Sequence, residues 1–306
     1  MNAALRLSGY TAVLALVFAA AWGVGAAVGA PAIAPPPAAP VASAVPHDGM
    51  GAGSADDGHA HRHGADEVDS AGLVATAAGY TFVPKLTTYR PGVPAELAFT
   101  ITGSDRRPVT RFDVEHEKQM HLILVRRDSA WFQHLHPTLA PDGVWRVPLI
   151  LPVPGIYRVY ADFVPTGGPP LVLGTDMFAP GDFDPVSFPP SRVAQVGDYQ
   201  VRLDGELIPG SPSQIFATVS RDGAAVTDLE PYLGAFGHLV ALRQSDLTYL
   251  HVHPDAATPA PTDRSGPGIA FTTEVPSAGT YRLFLDFRHA GTVRTVEFTV
   301  MTRDVP

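Results

Sequence analysis

The chain has no cysteine among its 306 residues. Thiolate metal ligands, thiol catalysis and disulfide bonds are therefore excluded. It also lacks a lysine and arginine cluster, and its formal net charge is −9. Nucleic acid is excluded as a partner because its binding requires a basic face. No Gly-x-Ser-x-Gly motif, phosphate loop or dinucleotide fingerprint is present, so the sequence predicts no enzyme, with a metal-dependent enzyme as a minor alternative.

A sustained 3.6-residue apolar period is also missing beyond the N-terminus, so little helix is expected. Proline (31) and glycine (29) are both abundant, and 45% of the residues are apolar, which is enough for two cores. Apolar runs of strand length, such as His121–Val125 and Tyr281–Phe287, alternate with turn signals such as Pro154-Gly155. This spacing predicts an all-β chain with one β-sandwich in each half.

The N-terminus carries a twenty-residue apolar run, Thr11–Ala30, behind a single Arg6. A run of this length can cross a bilayer once as a helix. Residues 1–30 are therefore predicted to be a membrane anchor, and the alternative is a cleaved signal peptide. Either interpretation places the rest of the chain outside the membrane, at the cell surface or secreted. Residues 31–71, rich first in alanine and proline and then in histidine, are predicted to be a disordered linker.

Histidines are concentrated in that linker. His47, His59, His61 and His63 lie within seventeen residues, among several aspartates. Neutral imidazole suits copper, nickel and zinc, so the tract is predicted to capture a metal loosely. The alternative is a solvated tether that happens to contain histidine.

An internal repeat organises the remainder of the chain. Met120–Pro137 returns as Gly237–Pro254, with six of eighteen positions identical. The histidine spacing is conserved between the copies, since 134 − 121 and 251 − 238 both equal 13. A second repeated segment follows each copy: Pro154–Phe163 (PGIYRVYADF) matches Ala278–Phe287 (AGTYRLFLDF). The two predicted sandwiches span residues 72–184 and 191–306. Upstream of the histidines, the repeat aligns Phe99 with Phe216. The matching histidines are His121, His134 and His136 in the first copy and His238, His251 and His253 in the second.

Each histidine trio is predicted to bind one ion. Residues two apart share a strand face, and cross-strand Cβ atoms lie about 5 Å apart, so a hairpin brings three imidazoles together. Asp162 and Asp286 occupy matching positions and are candidates for a fourth ligand or for orienting an imidazole. Met120 offers a thioether only in the first copy. The alternative is structural: His121 shares its face with apolar residues, so the histidines could be half-buried and bonded to turn backbone.

The Gly-x-Tyr motifs at Gly155–Tyr157 and Gly279–Tyr281 resemble the tyrosine corner of immunoglobulin-like domains. In that corner, the phenol hydroxyl bonds back to nearby main chain. The motif predicts the architecture and carries no information about activity.

Together, the anchor, the histidine tether and the sandwiches with His-x-His resemble bacterial extracytoplasmic metal-handling proteins of the YtkA-like and CopC-like kinds. The alanine- and proline-rich composition is similar to that of high-GC actinobacterial proteins. The resemblance implies tandem immunoglobulin- or cupredoxin-like domains that buffer or carry copper, with zinc or nickel as second choices. It implies the metal ion and a membrane metal transporter as partners. The alternative is a non-enzymatic cell-surface interaction module.

Overall fold

The apolar runs form antiparallel strands in the computed structural model, which describes residues 71–255 and 257–303. The first repeat contributes nine strands to two sheets. They are β1 (Thr76–Ala77), β2 (Tyr80–Pro84), β3 (Ala95–Thr102), β4 (His121–Arg126), β5 (Gln133–Leu135), β6 (Thr138–Leu139), β7 (Trp145–Leu149), β8 (Gly155–Phe163) and β9 (Leu171–Ala179). One sheet has the order β1-β2-β3-β7-β6 and the other β5-β4-β8-β9.

The second repeat has the same plan. Its strands are β10 (Val193–Val196), β11 (Tyr199–Asp204), β12 (Pro212–Arg221), β13 (Ala224–Ala225), β14 (Gly237–Arg243), β15 (Tyr249–His251), β16 (His253–Pro254), β17 (Gly268–Glu274), β18 (Thr280–His289) and β19 (Thr292–Met301). One sheet has the order β10-β11-β12-β17-β16, with β13 beside β12, and the other β15-β14-β18-β19. The all-β prediction is confirmed for the described residues, none of which forms a helix.

Each sandwich is filled by the inward-facing side chains of its two sheets. The first core centres on Trp145, which is 1% exposed and packs against Phe99 and Phe112. Both tyrosine corners are present. The Tyr157 hydroxyl donates to the Val153 carbonyl at 2.9 Å, and the Tyr281 hydroxyl donates to the Ser277 carbonyl at the same distance.

The predicted alignment of Phe99 with Phe216 is wrong by one residue. Phe99 is fully buried, whereas Phe216 is 43% exposed and lies on the outer face of β12. The structural counterpart of Phe99 is Ala217, which is also fully buried and pairs with β17 as Phe99 pairs with β7. Side chains alternate between faces along a strand, so a slip of one residue exchanges the core and solvent positions.

The two four-stranded sheets also bury their second faces, against each other. Along β4, Leu122 and Leu124 enter the first core, while Ile123 and Val125 enter a separate apolar cluster between the repeats. This inter-repeat cluster comprises Ile123, Val125, Tyr160, Val240, Leu242, Leu247, Tyr249 and Phe284. His121 continues the row of Ile123 and Val125, so the period of the strand directs its ring towards the same interface.

The inter-repeat contact is reciprocal. Phe132 of the first repeat stacks on Phe284 of the second, with ring centres 4.1 Å apart. The corresponding pair with the repeats exchanged is Tyr249 and Tyr160, at 5.4 Å. The same patch of each repeat therefore contacts the other, as in a two-fold symmetric dimer.

None of the described residues belongs to a helix long and apolar enough to cross a bilayer. The predicted anchor and the tether histidines His47, His59, His61 and His63 lie outside the described residues.

Candidate metal centre between the two repeats

The first histidine trio converges. The ligand atoms of His121, His134 and His136 all lie within 4.8 Å of one another. Their ring centres are 5.3, 5.0 and 4.7 Å apart. A zinc–imidazole bond is about 2 Å long, so two imidazoles placed tetrahedrally on one ion have ring centres about 5 Å apart. The three rings therefore have the spacing that a shared ion requires.

Strand pairing produces this convergence. His134 pairs with Ile123, and Leu135 pairs with Leu122, which places His134 diagonally across from His121 on one face. β5 ends at Leu135, and the chain then crosses to the other sheet, where Thr138 pairs with Arg146 of β7. His136 therefore lies at the crossing point, beside the start of β4. The hairpin predicted from the sequence forms, and its two-residue spacing places His134 and His136 side by side.

His121 is held by a turn just before β4. Its Nε2 lies 3.1 Å from the Glu115 carbonyl oxygen. A carbonyl only accepts hydrogen bonds, so Nε2 carries the proton and Nδ1 keeps the lone pair when the ring is neutral. The turn closes through reciprocal main-chain bonds between Glu115 and Lys118. His116 and Glu117 occupy its centre with φ of 48° and 64°, a left-handed conformation that costs non-glycine residues energy.

His134 is held by the second repeat. Its Nδ1 lies 2.8 Å from Oδ2 of Asp286, and both side chains are only 6% exposed. The carboxylate accepts a hydrogen bond from the Nδ1–H group, so the lone pair of a neutral His134 lies on Nε2. The Thr295 hydroxyl donates to the other oxygen, Oδ1 of Asp286, at 2.5 Å. Carboxylates orient metal-binding imidazoles in this way in many metalloproteins.

Two lone pairs then face each other. Nδ1 of His121 and Nε2 of His134 are 3.0 Å apart, and each belongs to a ring whose other nitrogen already donates to an acceptor. Two acceptors at that distance repel each other unless a proton or a metal cation lies between them. Nε2 of His136 is buried and has no hydrogen-bond partner among the described residues. The centre thus presents three imidazole nitrogens with nothing else in the described part of the chain to bind them.

Burial favours the neutral form of His121, His136 and His238. It lowers the pKa of His121 to about 3, against the raising effect of the Asp162 carboxylate. Burial, followed by the neighbouring His134, lowers the pKa of His136 to about 3. Burial, followed by the neighbouring His116, also lowers the pKa of His238 to about 3. Neutral imidazole is the form that binds metals.

The second copy repeats the turn. Nε2 of His238 contacts the carbonyl oxygens of Tyr232 and Leu233, both at 3.0 Å, so its lone pair also lies on Nδ1. Leu233 and Gly234 take the left-handed positions of this turn. His251 ends β15 in one sheet, and His253 begins β16 in the other, so the second His-x-His spans the crossing between sheets. The placements of these two side chains fall outside what the structure describes.

A small cavity adjoins the trio at the interface. Its polar lining comes from His116, His121, His134 and Asp162 of the first repeat and from His238 and Tyr249 of the second. The cavity volume is about 20 Å³, which is room for about one water molecule or ion. The Tyr249 hydroxyl donates to Oδ2 of Asp162 at 3.0 Å, and burial raises the pKa of Tyr249.

Several parts of this site were not predicted from the sequence. Met120 was expected to offer a thioether to the first site, but its side chain is 1% exposed in the first core, on the opposite face of β4 from His121. Asp286, in the second repeat, accepts a hydrogen bond from His134 of the first repeat, a contact between repeats that was not predicted. His116 and the turn carbonyls were not predicted, although the six-residue interval from Glu115 to His121, matched from Tyr232 to His238, was available as a signal.

The chain belongs to a family described as a domain of unknown function, DUF8832, whose model matches residues 75–172 and 194–304. One matched segment lies in each repeat. No curated protein matches the chain. The predicted resemblance to YtkA-like and CopC-like sandwiches is not tested by this match and stays a prediction.

The chain is similar to several solved structures at a low level. The Escherichia coli adhesin FdeC has a TM-score of 0.25 and 10% identity, over 75% of this chain and 65% of the adhesin. Salmonella alpha-2-macroglobulin has a TM-score of 0.24 and 18% identity, over 76% of this chain and 15% of its own. Domains 4 and 5 of the S-layer protein SbsC have a TM-score of 0.24 and 10% identity, over 74% and 98%. This chain therefore spans less than two thirds of the first two, and likeness at this level carries no functional argument.

Proposed function

We propose that the protein binds one transition-metal ion through His121, His134 and His136 and has no catalytic role. The observation that supports this most directly is the 3.0 Å distance between Nδ1 of His121 and Nε2 of His134, since the other nitrogen of each ring faces a hydrogen-bond acceptor. The partnerless Nε2 of His136 lies beside them. A cation placed among the three would accept all three lone pairs and remove the repulsion.

The donor set defines the class of metal. All three ligands are imidazoles, the sequence has no cysteine, and the Met120 thioether lies on the other face of β4. Soft sulfur donors select Cu(I), whereas imidazole suits Cu(II), Zn(II) and Ni(II). Among these divalent ions, nitrogen sites generally hold Cu(II) most tightly. Copper(II) is therefore the preferred ion, followed by zinc or nickel.

The N-terminal sequence supports a location outside the cell membrane. The apolar run Thr11–Ala30 has the length of one membrane span or a long export signal. The histidine tract from His47 to His63 follows it and offers further imidazoles. A chain of this design would capture copper at the cell surface, hold it in the repeats and buffer it or pass it to a membrane transporter.

A second candidate is a surface interaction module in which the histidines only hold the repeats together. It is favoured by the main-chain hydrogen bonds of His121 and His238, which resemble those of structural histidines. The inter-repeat cluster, with its apolar and aromatic contacts, supports the same view. This candidate predicts that added metal leaves the thermal stability unchanged.

The test is a calorimetric titration of Cu(II) and Zn(II) into the full chain in mild detergent. The tether histidines are replaced by serine in this background so that they cannot contribute. One ion is expected to bind at the first trio, and the melting temperature is expected to rise, because a ligand that binds only the native state stabilises it.

The decisive variant is the double substitution His134→Ala/His136→Ala, which should abolish the binding. His289→Gln is the matched control, because His289 is also buried but bonds to Tyr199 and Asp228 away from the trio. Binding unchanged in the double variant, or no binding by the starting protein, would contradict the proposal and leave the surface module as the better account.

A further inference from the structure

One ligand of the trio is held by the other repeat. Asp286 lies in β18, directly across from His238 in β14, yet its carboxylate bonds to His134 of the first repeat. Both of its oxygens are engaged, Oδ2 by His134 and Oδ1 by the Thr295 hydroxyl of β19. The carboxylate is therefore fixed in orientation before an ion arrives.

This contact determines which nitrogen of His134 faces the ion. With Nδ1 donating to Asp286, the ring turns Nε2 towards Nδ1 of His121. Without the carboxylate, His134 could rotate or adopt the other tautomer, and Nε2 would no longer be held in register. A hydrogen bond donated by one ring nitrogen to a negatively charged acceptor also makes the opposite ring nitrogen a stronger ligand for a metal.

The packing of the two repeats against each other places the Asp286 carboxylate beside His134. Phe132, two residues before His134, stacks on Phe284, two residues before Asp286. Residues two apart share a strand face, so the aromatic pair and the His–Asp pair lie side by side along the interface. On the reciprocal side, the Tyr160 hydroxyl donates to the Leu247 carbonyl at 2.6 Å. The position of Asp286 against His134 is therefore set by contacts between the repeats.

We infer that the metal centre belongs to the pair of repeats, and that Asp286 of the second repeat is the positioning residue for His134 of the first. The first repeat supplies three ligands, and the second supplies the group that holds one of them in its binding orientation. This inference rests on the ion binding proposed above and adds the requirement for the second repeat.

The test compares Asp286→Asn with the starting protein in the same background lacking the tether histidines. Asparagine has the same shape but no charge, so the hydrogen bond weakens while the packing is kept. Zn(II) affinity, measured by competition with a chromophoric chelator, is expected to fall about 10- to 100-fold. The visible absorption of bound Co(II) is also expected to change, because His134 is held differently. A merely structural role would not alter that spectrum.

Asp204→Asn is the matched control, because it removes one negative charge from the outer sheet of the same repeat. It should leave the Zn(II) affinity and the Co(II) spectrum as they were. If Asp286→Asn does not fold, Thr295→Val replaces it, since this change keeps the carboxylate but frees Oδ1; the expected loss of affinity is then smaller.

The outcomes separate the two proposals. If the starting protein binds Zn(II) and Asp286→Asn binds it equally well with the same Co(II) spectrum, the inference is overturned and the proposed function stands. If the starting protein binds no ion, the proposed function itself fails.

Discussion

Acid should destabilise the metal-free protein well above the pH range in which most carboxylates titrate. His121, His136 and His238 have pKa values of about 3 in the folded chain, set first by burial, against about 6.5 when unfolded. Between these values the unfolded chain binds more protons than the folded one. Stability is therefore complete above pH 6.5 and is lost as the pH falls towards 3.

The magnitude follows from proton linkage. Moving from pH 7 to pH 5 costs about 2 kcal/mol for each imidazole that titrates at 6.5 unfolded and at 3 folded. Three such groups would cost about 6 kcal/mol, and solvent screening of the half-buried His136 reduces the expected loss to about 4 kcal/mol. Since domains of ordinary size have about 5–15 kcal/mol of stability, unfolding should begin near pH 5.

Urea denaturation at pH 7, 6 and 5, in the presence of a metal chelator, measures this loss. His238→Gln is the informative variant: its amide reaches the position of Nε2 and can still donate to the Tyr232 carbonyl, but it does not titrate, so the loss between pH 7 and 5 should shrink by about 2 kcal/mol. A free energy of unfolding that is flat or increases on acidification would refute the reasoning.

Other substitutions test the fold and the assignment of ligands. Tyr157→Phe and Tyr281→Phe should each cost about 1 kcal/mol in urea denaturation, since each removes one corner hydrogen bond. Gly174→Ala should destabilise by at least about 2 kcal/mol, because its new methyl would lie 1.9 Å from the Gly72 carbonyl oxygen; Gly268→Ala, with nothing within 4 Å, should be nearly neutral. Met120→Leu should leave the affinity for Cu(II) unchanged, whereas a large loss would show that the thioether reaches the ion.

The architecture was largely predictable because short alternating runs and Gly-x-Tyr corners are local signals. β9 was not predicted, and its sequence, LVLGTDMFA, shows why. Gly174 interrupts the apolar run where the Gly72 carbonyl packs closely against the strand. Asp176 in the same strand bonds to Arg127 and Arg158, so a charged residue stands where alternation alone suggests none. Both features arise from tertiary contacts that local propensity does not report.

The candidate site was predictable only within one repeat. Strand period and spacing were enough to bring His121, His134 and His136 together, since these contacts form within one hairpin and the crossing that follows it. Asp286 was a candidate for orienting an imidazole, but its contact with the other repeat was not accessible, because it depends on which outer faces of the sandwiches meet. The sequence gives an indirect hint: Ile123 and Val125 are apolar on the face of β4 opposite its own core.

The reciprocal interface allows the two copies to differ in detail. Asp162 occupies the position in the first repeat that Asp286 occupies in the second. Asp162 accepts a hydrogen bond from the Tyr249 hydroxyl, whereas Phe132, the counterpart of Tyr249, has no hydroxyl to donate to Asp286. The two carboxylates therefore differ in this contact, while the stacked aromatic pairs keep the two-fold relation in the apolar part. Fusion of two repeats permits this divergence, since each copy can change without changing the other, which a homodimer of one repeat could not do.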